Sequence, residues 1–294
     1  MNRMDKEQCV ARTKQGVSRN GETVWSFRIP NSTDDYIELS TYGCSLQGLY
    51  VHDGEGTLCG LTRGMGDLEA YEASGRIDAS LLGGKGGIPE LLARKVWEVA
   101  EQGSNYVFLT CQCTPEEAGC GLKVGARVMW VNLNRLVVDF FCTPEEGVAL
   151  TWSSNLTVQM DQGVAADYQV RAFCPEVALP GQKPVPVAET EYAEQQFAAI
   201  DGACFLHPEE DIKPMAELMH ENTGMHLSAY GTFHGLQAKS TERQGGIQVI
   251  QWSDVTLEAG ESFAGRVIYG VDYLHPQPET ETEPNPFVAF GFGL

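Results

Sequence analysis

The sequence predicts an all-β, mainly antiparallel protein: a large β-sandwich with few short helices. Apolar and polar residues alternate in run after run, which is the period of a half-buried strand. Turn-forming clusters separate those runs at short intervals. Long patterns with the 3.6-residue period of a helix are scarce.

Taken in order, the strand-like runs begin with Val24–Ile29, Tyr36–Leu39, Ser45–Val51, Tyr106–Gln112 and Lys123–Val131. They continue with Arg135–Cys142, Leu150–Gln159, Tyr168–Cys174, Gly235–Lys239, Gly246–Trp252 and Ser262–Val271. Asp53-Gly54, Pro115-Glu116-Glu117, Asn132-Leu133-Asn134 and Pro144-Glu145-Glu146-Gly147 supply turn chemistry between them. The third of these joins two long alternating runs and predicts a hairpin with a short loop. Gly87–Ala100 and Glu189–Ala199 carry short helical patterns. Many strands with few helices argue for a sandwich or barrel, and no fixed-period repeat is visible.

A chain of 294 residues is long for one domain, yet all-β sandwiches of this size commonly form a single unit, here 1–274. The segment HPQPETETEPNP (275–286) opens a proline-rich, acidic tail, expected to be extended or disordered. The closing FVAFGFGL is apolar enough to dock on a neighbouring chain, so a homodimer is one expectation.

Forty acidic residues against 20 basic ones give a net charge of −20. Nucleic acid and anionic membrane both require a positive footprint, and both are excluded as expected partners. The polar start MNRMDKEQCVARTKQG has no apolar core of a secretion signal, and no run reaches the length of a membrane span, so a cytoplasmic location is expected. The nine cysteines are odd in number and lie mostly in apolar runs, where they read as small buried hydrophobes. Cys111 and Cys113 fall on one strand face, but neither a C-x-x-C pair nor neighbouring histidines accompany them. No metal or other cofactor is expected.

The glycine-rich stretch LLGGKGGIPELLARKVWEV (81–99) raises the question of a phosphate loop. Such a loop needs G-x-x-x-x-G-K-[ST] between a strand and a helix of a parallel unit. Here Lys85 precedes Gly86-Gly87, no Ser or Thr follows it, and the surroundings are antiparallel. Nucleotide binding is not the reading.

The chain resembles the aldose 1-epimerase (galactose mutarotase) family at seven collinear places between residues 41 and 271. TYGCSLQGLYVHDGEG (41–56) resembles its opening strand pair, and LCGLTRGMGDLEAYE (58–72) its "v-v-L-G-f-d-x-l-e-x-Y". LLGGKGGIPELLARKVWEV is similar to "L-H-G-G-p-x-G-f-d-x-x-x-W-e-v". Residues 114–158 follow the central strands and "n-l-T-n-H-x-Y-f-N-L", and 170–190 the proline-rich segment after them. AIDGACFL (199–206) is like "G-y-D-h-x-F-v-L" with one extra residue, and TLEAGESFAGRVIYGV (256–271) resembles the closing strand.

The resemblance implies a β-sandwich that binds a monosaccharide, and a mutarotase chemistry. In that chemistry a glutamate takes the anomeric hydroxyl proton while a histidine protonates the ring oxygen. A second histidine, an arginine and an aspartate help hold the sugar. Carried onto this chain, the L-H-G-G histidine falls on Leu82 and the T-n-H-x-Y histidine on or near Ser153. The arginine falls on Arg76 in SGRIDAS, a connection about twenty residues shorter than the family's. The aspartate matches Asp201. The glutamate maps to Glu242, before the strand, or is lost if Gln251 holds its place.

Replacement histidines are His207, which could face the same cleft as Asp201, and His226 or His234, either of which could supply an acid from a new direction; His52, in a turn beside Asp53, reads as solvated. Trp97, Trp130, Trp152 and Trp252 have rings suited to a sugar face, although most should be core; Trp152, beside the lost histidine, is the site candidate. Arg76, Lys85, Arg94 and Lys95 leave a sugar phosphate open as ligand. The preferred expectation is a monosaccharide-binding protein without the usual acid–base pair. The alternatives are an active epimerase whose acid and base come from other positions, such as His207 or His234 with Glu242, and a β-sandwich that has lost the site altogether and serves as an interaction module.

Overall fold

A computed structural model describes residues 9–62, 64–82, 87–159, 168–190, 192, 203–220, 222–241 and 246–273. Strands β1 (Ala11–Val17), β2 (Thr23–Pro30), β3 (Tyr36–Ser40), β4 (Ser45–His52) and β5 (Leu58–Gly60) form an N-terminal five-stranded meander. Helices α1 (Leu68–Ser74) and α2 (Gly87–Leu92) lead into β6 (Glu98–Gln102) and β7 (Tyr106–Cys113). A one-turn α3 (Pro115–Ala118) precedes β8 (Leu122–Val131), β9 (Arg135–Pro144) and β10 (Val148–Val158). Then come β11 (Tyr168–Ala172), β12 (Glu176–Ala178), β13 (Val185–Pro186) and β14 (Cys204–Leu206). The order closes with β15 (Lys213–His220), β16 (Met225–Gly231), β17 (Gly235–Ser240), β18 (Ile247–Leu257) and β19 (Phe263–Tyr273).

Eight of these strands make a large sheet in the order β11-β15-β16-β19-β9-β8-β7-β6, and six make a second, β10-β18-β17-β14-β12-β13. All the paired strands run antiparallel. The predicted hairpin is β8–β9, with Val131 opposite Arg135 and a loop whose Leu133 and Asn134 take φ of 62° and 51°. Its Asn132 and Asn134 side chains also tie the loop to the N-terminal sheet, accepting hydrogen bonds from Ser32 and Asn31.

The core lies where the two larger sheets face one another. Phe140 of β9 meets Trp152 of β10 edge-on at 6.3 Å and Phe233 at 6.4 Å, and Trp152 also contacts Phe263 of β19 at 6.2 Å. Phe27, Ile29, Ile37 and Leu39 on the inner face of the five-stranded sheet join the same buried cluster. Trp130 fastens that sheet to the large one by donating its indole N–H to the Asp35 carbonyl at 3.1 Å. Six of the nine free cysteines are buried. No helix among the described residues is long and apolar enough to cross a membrane.

One predicted helix needs correction. The pattern over 87–100 is helical only to Leu92, and residues 98–102 are strand. Tertiary pairing overrides local preference here. Trp97 donates its backbone N–H to Thr41 O (2.8 Å) and its indole N–H to Leu92 O (3.1 Å), while Val96 bridges Tyr42. Most of the other predicted helix, 189–199, and the tail 275–294 lie outside the described residues.

Phe140→Ala removes the ring on which both other aromatics converge. Urea denaturation should show a loss of about 3–5 kcal/mol, the usual result of truncating a fully buried phenylalanine.

Candidate functional site

The site is organised by the pairing of β10 with β18. Their register sets Ser153 opposite Trp252, Asn155 opposite Ile250 and Thr157 opposite Gln248. It also sets Trp152 opposite Ser253, Ser154 opposite Gln251 and Leu156 opposite Val249. Side chains alternate along a strand, so these two sets occupy opposite faces. The second set faces the large sheet and is fully buried. The first set forms the more open face, on which Trp252, Ile250 and Gln248 are half-buried while Ser153, Asn155 and Thr157 are buried.

Two expectations from sequence change at this point. Trp152 is 1 % exposed and packed between Phe140 and Phe263, so its ring is unreachable for a sugar. Gln251 is likewise on the core side, donating to the Tyr230 carbonyl at 3.3 Å. It shares a buried polar cluster with Ser154 and Tyr269, whose hydroxyl burial pushes up to about 12 while Ser154 and Gln251 pull it back. Gln251 therefore points into the core, away from the open face.

The aromatic ring on the open face is Trp252. It lies across Gly235 of β17, where a Cβ would sit 2.1 Å from the indole Cε2; glycine is required for that close approach. Leu206 pairs with Gly235 on the far side, and Gln237, opposite Ile250, donates to the Cys204 thiol. The result is a strip with an indole plate, hydroxyls and amides, a composition suited to a sugar ring. The signal that singles out Trp252 over Trp152 is strand parity, readable only once the inner face is known.

The segment 76–82 runs along the outer edge of β10. Asn155 N–H donates to Leu81 O at 3.1 Å, and the Thr157 hydroxyl donates to Asp78 O at 3.2 Å. Leu82 is 1 % exposed and belongs to the core. Arg76 forms a forked pair with Asp78, Nη2 to Oδ2 at 2.7 Å and Nε to Oδ1 at 3.1 Å. That hydrogen bonding raises the Arg76 pKa above its ordinary value. A cavity of about 10 Å³ lies between Asp78, Asn155 and Thr157. Asn155 is 4 % exposed, and its Oδ1 faces this region without a hydrogen-bond partner among the described residues. A buried acceptor left open in this way calls for a water or a ligand hydroxyl.

His207 and His234 meet at the end of β14 and β17. The His207 N–H donates to His234 O at 2.7 Å, and the His234 N–H donates to the Ser253 hydroxyl at 3.0 Å. Partial burial and the nearby Lys213 ammonium hold His207 below the usual histidine pKa. Lys213 is itself buried, donating to the carbonyls of Glu209 and Asp211. Elsewhere, His52 pairs with Asp35 at 2.7 Å and His226 with Glu217 at 3.8 Å, neither near this strip. Asp201 and Glu242 lie outside the described residues. A carboxylate that sequence reasoning missed is Asp254, at the other end of the open face, which accepts from Thr151 at 2.5 Å.

No protein-family model matches the chain, and no curated protein sequence matches it. Solved structures do. Galactose 1-epimerase from Lactobacillus acidophilus superimposes with a TM-score of 0.74 over 90% of this chain and 99% of its own, at 13% identity. The GalM/aldose epimerase homologue from C. elegans gives 0.69 over 84% and 98%, also at 13% identity. A galactose mutarotase-like protein from Clostridium acetobutylicum gives 0.64 over 90% and 99%, at 10% identity. The architecture is thus that of the galactose mutarotase-like β-sandwiches. Aldose 1-epimerase homologues are among its structural neighbours, and at these identities the likeness is one of fold.

Two measurements check the site geometry. Gly235→Ala should leave the circular-dichroism spectrum intact while displacing the Trp252 indole N–H resonance, because the added methyl occupies the ring's place. For His207, a depressed pKa means the unfolded chain binds the proton first. Stability should then fall as pH drops from about 6.5 through the folded value, and His207→Gln should remove that acid sensitivity in pH-dependent denaturation.

Proposed function

We propose that this protein binds a monosaccharide unit on the open face of β10 and β18 and lacks the acid–base pair of mutarotation. One observation carries the reading. At the centre of the face stand Ser153, Asn155, Ile250 and Trp252, none of which ionises near neutral pH, and Leu82 is packed into the core. Ring opening needs a base on the anomeric hydroxyl and an acid on the ring oxygen, each within hydrogen-bond reach. The centre of the face offers hydroxyl, amide and indole in place of both, enough to hold and orient a sugar and too little to move its protons, while the carboxylate of Asp254 is at the far end, bonded to Thr151.

A neutral sugar fits better than a sugar phosphate. Arg76 is neutralised by Asp78, Arg94 pairs with Glu90 at 2.8 Å, and Lys95 pairs with Glu117 at 2.7 Å. A phosphate would have to compete for these engaged cations; Lys85 lies outside the described residues.

The alternative of a relocated pair draws support from His207, which burial keeps neutral and available as a proton acceptor at pH 7. Glu242 is its proposed partner. The two readings separate on anomer exchange, followed by polarimetry or NMR with glucose and galactose. Binding without acceleration, weakened at least tenfold in Trp252→Ala, is the expected result. Acceleration that disappears in His207→Ala or Glu242→Gln would overturn the non-catalytic reading.

A further inference from the structure

A concave surface lies beyond the Arg76 edge of this region. The outer face of the five-stranded sheet, together with the turn at 64–66 and Arg76, encloses an open groove of about 660 Å³. Its floor follows from strand parity. Phe27, Ile29, Ile37 and Leu39 point into the core, which leaves Ser26 and Glu38 on the opposite face.

Its wall follows from a β-bulge. Glu38 pairs with Gly48 and Leu39 with Leu46, so Gln47 is the extra, unpaired residue of β4, and it lines the groove. Bulges of this kind re-aim a side chain. The Gln47 amide nitrogen has no hydrogen-bond partner among the described residues. The turn closing the groove sits directly on β4: a Cβ at Gly64 would lie 2.2 Å from the Gln47 carbonyl oxygen.

The groove and the sugar-binding face share a boundary. Arg76 lines the groove, its partner Asp78 lines the small cavity against Asn155, and the Arg76–Asp78 ion pair stands between the two. The lining is hydroxyl, amide and carboxylate. Glu38 repels anions, and Arg76 has no net charge to offer them while paired. Planar amide and carboxylate groups are complementary to vicinal hydroxyls.

We propose that the ligand extends past one ring: a neutral disaccharide or longer glycan, with one sugar beside Asn155 and the next in the groove, divided by Arg76–Asp78. This rests on the sugar-binding reading above and adds the length and charge of the ligand. The test is calorimetric titration of the full chain with galactose and glucose, then with lactose and maltose. At least one disaccharide should bind tenfold or more tighter than its monosaccharides. Ser26→Trp, which fills the groove floor, should abolish that gain and leave monosaccharide affinity unchanged. Gln47→Ala serves as the milder second variant, with a several-fold loss confined to the disaccharide, and thermal melts confirm that both fold. Monosaccharide binding without any disaccharide gain would overturn this inference alone. A gain untouched by both variants would overturn the groove as its source. Absence of binding by every sugar would overturn the underlying reading with it.

Discussion

The eleven-residue pairing of β10 with β18 is the constraint on which the rest depends. Both faces of this ribbon are covered to different degrees and by different chemistry. A slip of β10 by one residue would turn Trp152 and Leu156 outward and point Ser153 and Asn155 at the large sheet. The aromatic contacts of Trp152 with Phe140 and Phe263 lock the register from the core side. The backbone bond from Asn155 to Leu81 and the Thr157 bond to Asp78 lock it from the edge. The geometry of the cleft is therefore inherited from the packing beneath it.

Much of this architecture is legible in the sequence, and its limits have physical causes. Strands long enough to alternate twice or more, such as 123–131 and 135–142, announce themselves, because one face must be apolar to fold at all. The 87–100 segment does not, since its helical spacing is real up to Leu92 and only the anchoring of Trp97 by Thr41 ends it. Helix α1 left a signal that periodicity alone overlooks: Asp67 caps it through Ala70 N–H at 2.8 Å, and Gly75 closes it at φ 68°.

Motif spacing offers Leu82 and Arg76 as candidates, and the structure sets the 76–82 segment along the edge of β10. The choice between Trp152 and Trp252 does not, because neighbouring residues of a strand differ only in which way they point. Gln251 illustrates the same limit: a polar residue in a strand reads as surface until the buried Tyr269 and Ser154 beside it are known. Asp254 escaped notice for a related reason, being a turn-like residue in sequence and an open-face carboxylate only in three dimensions.

The two sides of the β10–β18 ribbon also differ in what they tolerate. Core-side residues are bound to one another by volume, and almost any exchange there disturbs several neighbours at once. On the open side Ile250 and Trp252 are half-buried, and Trp252 is constrained there by its close approach to Gly235. The frame fixes position, and the half-buried side chains of the open face have more latitude than the packed ones beneath them.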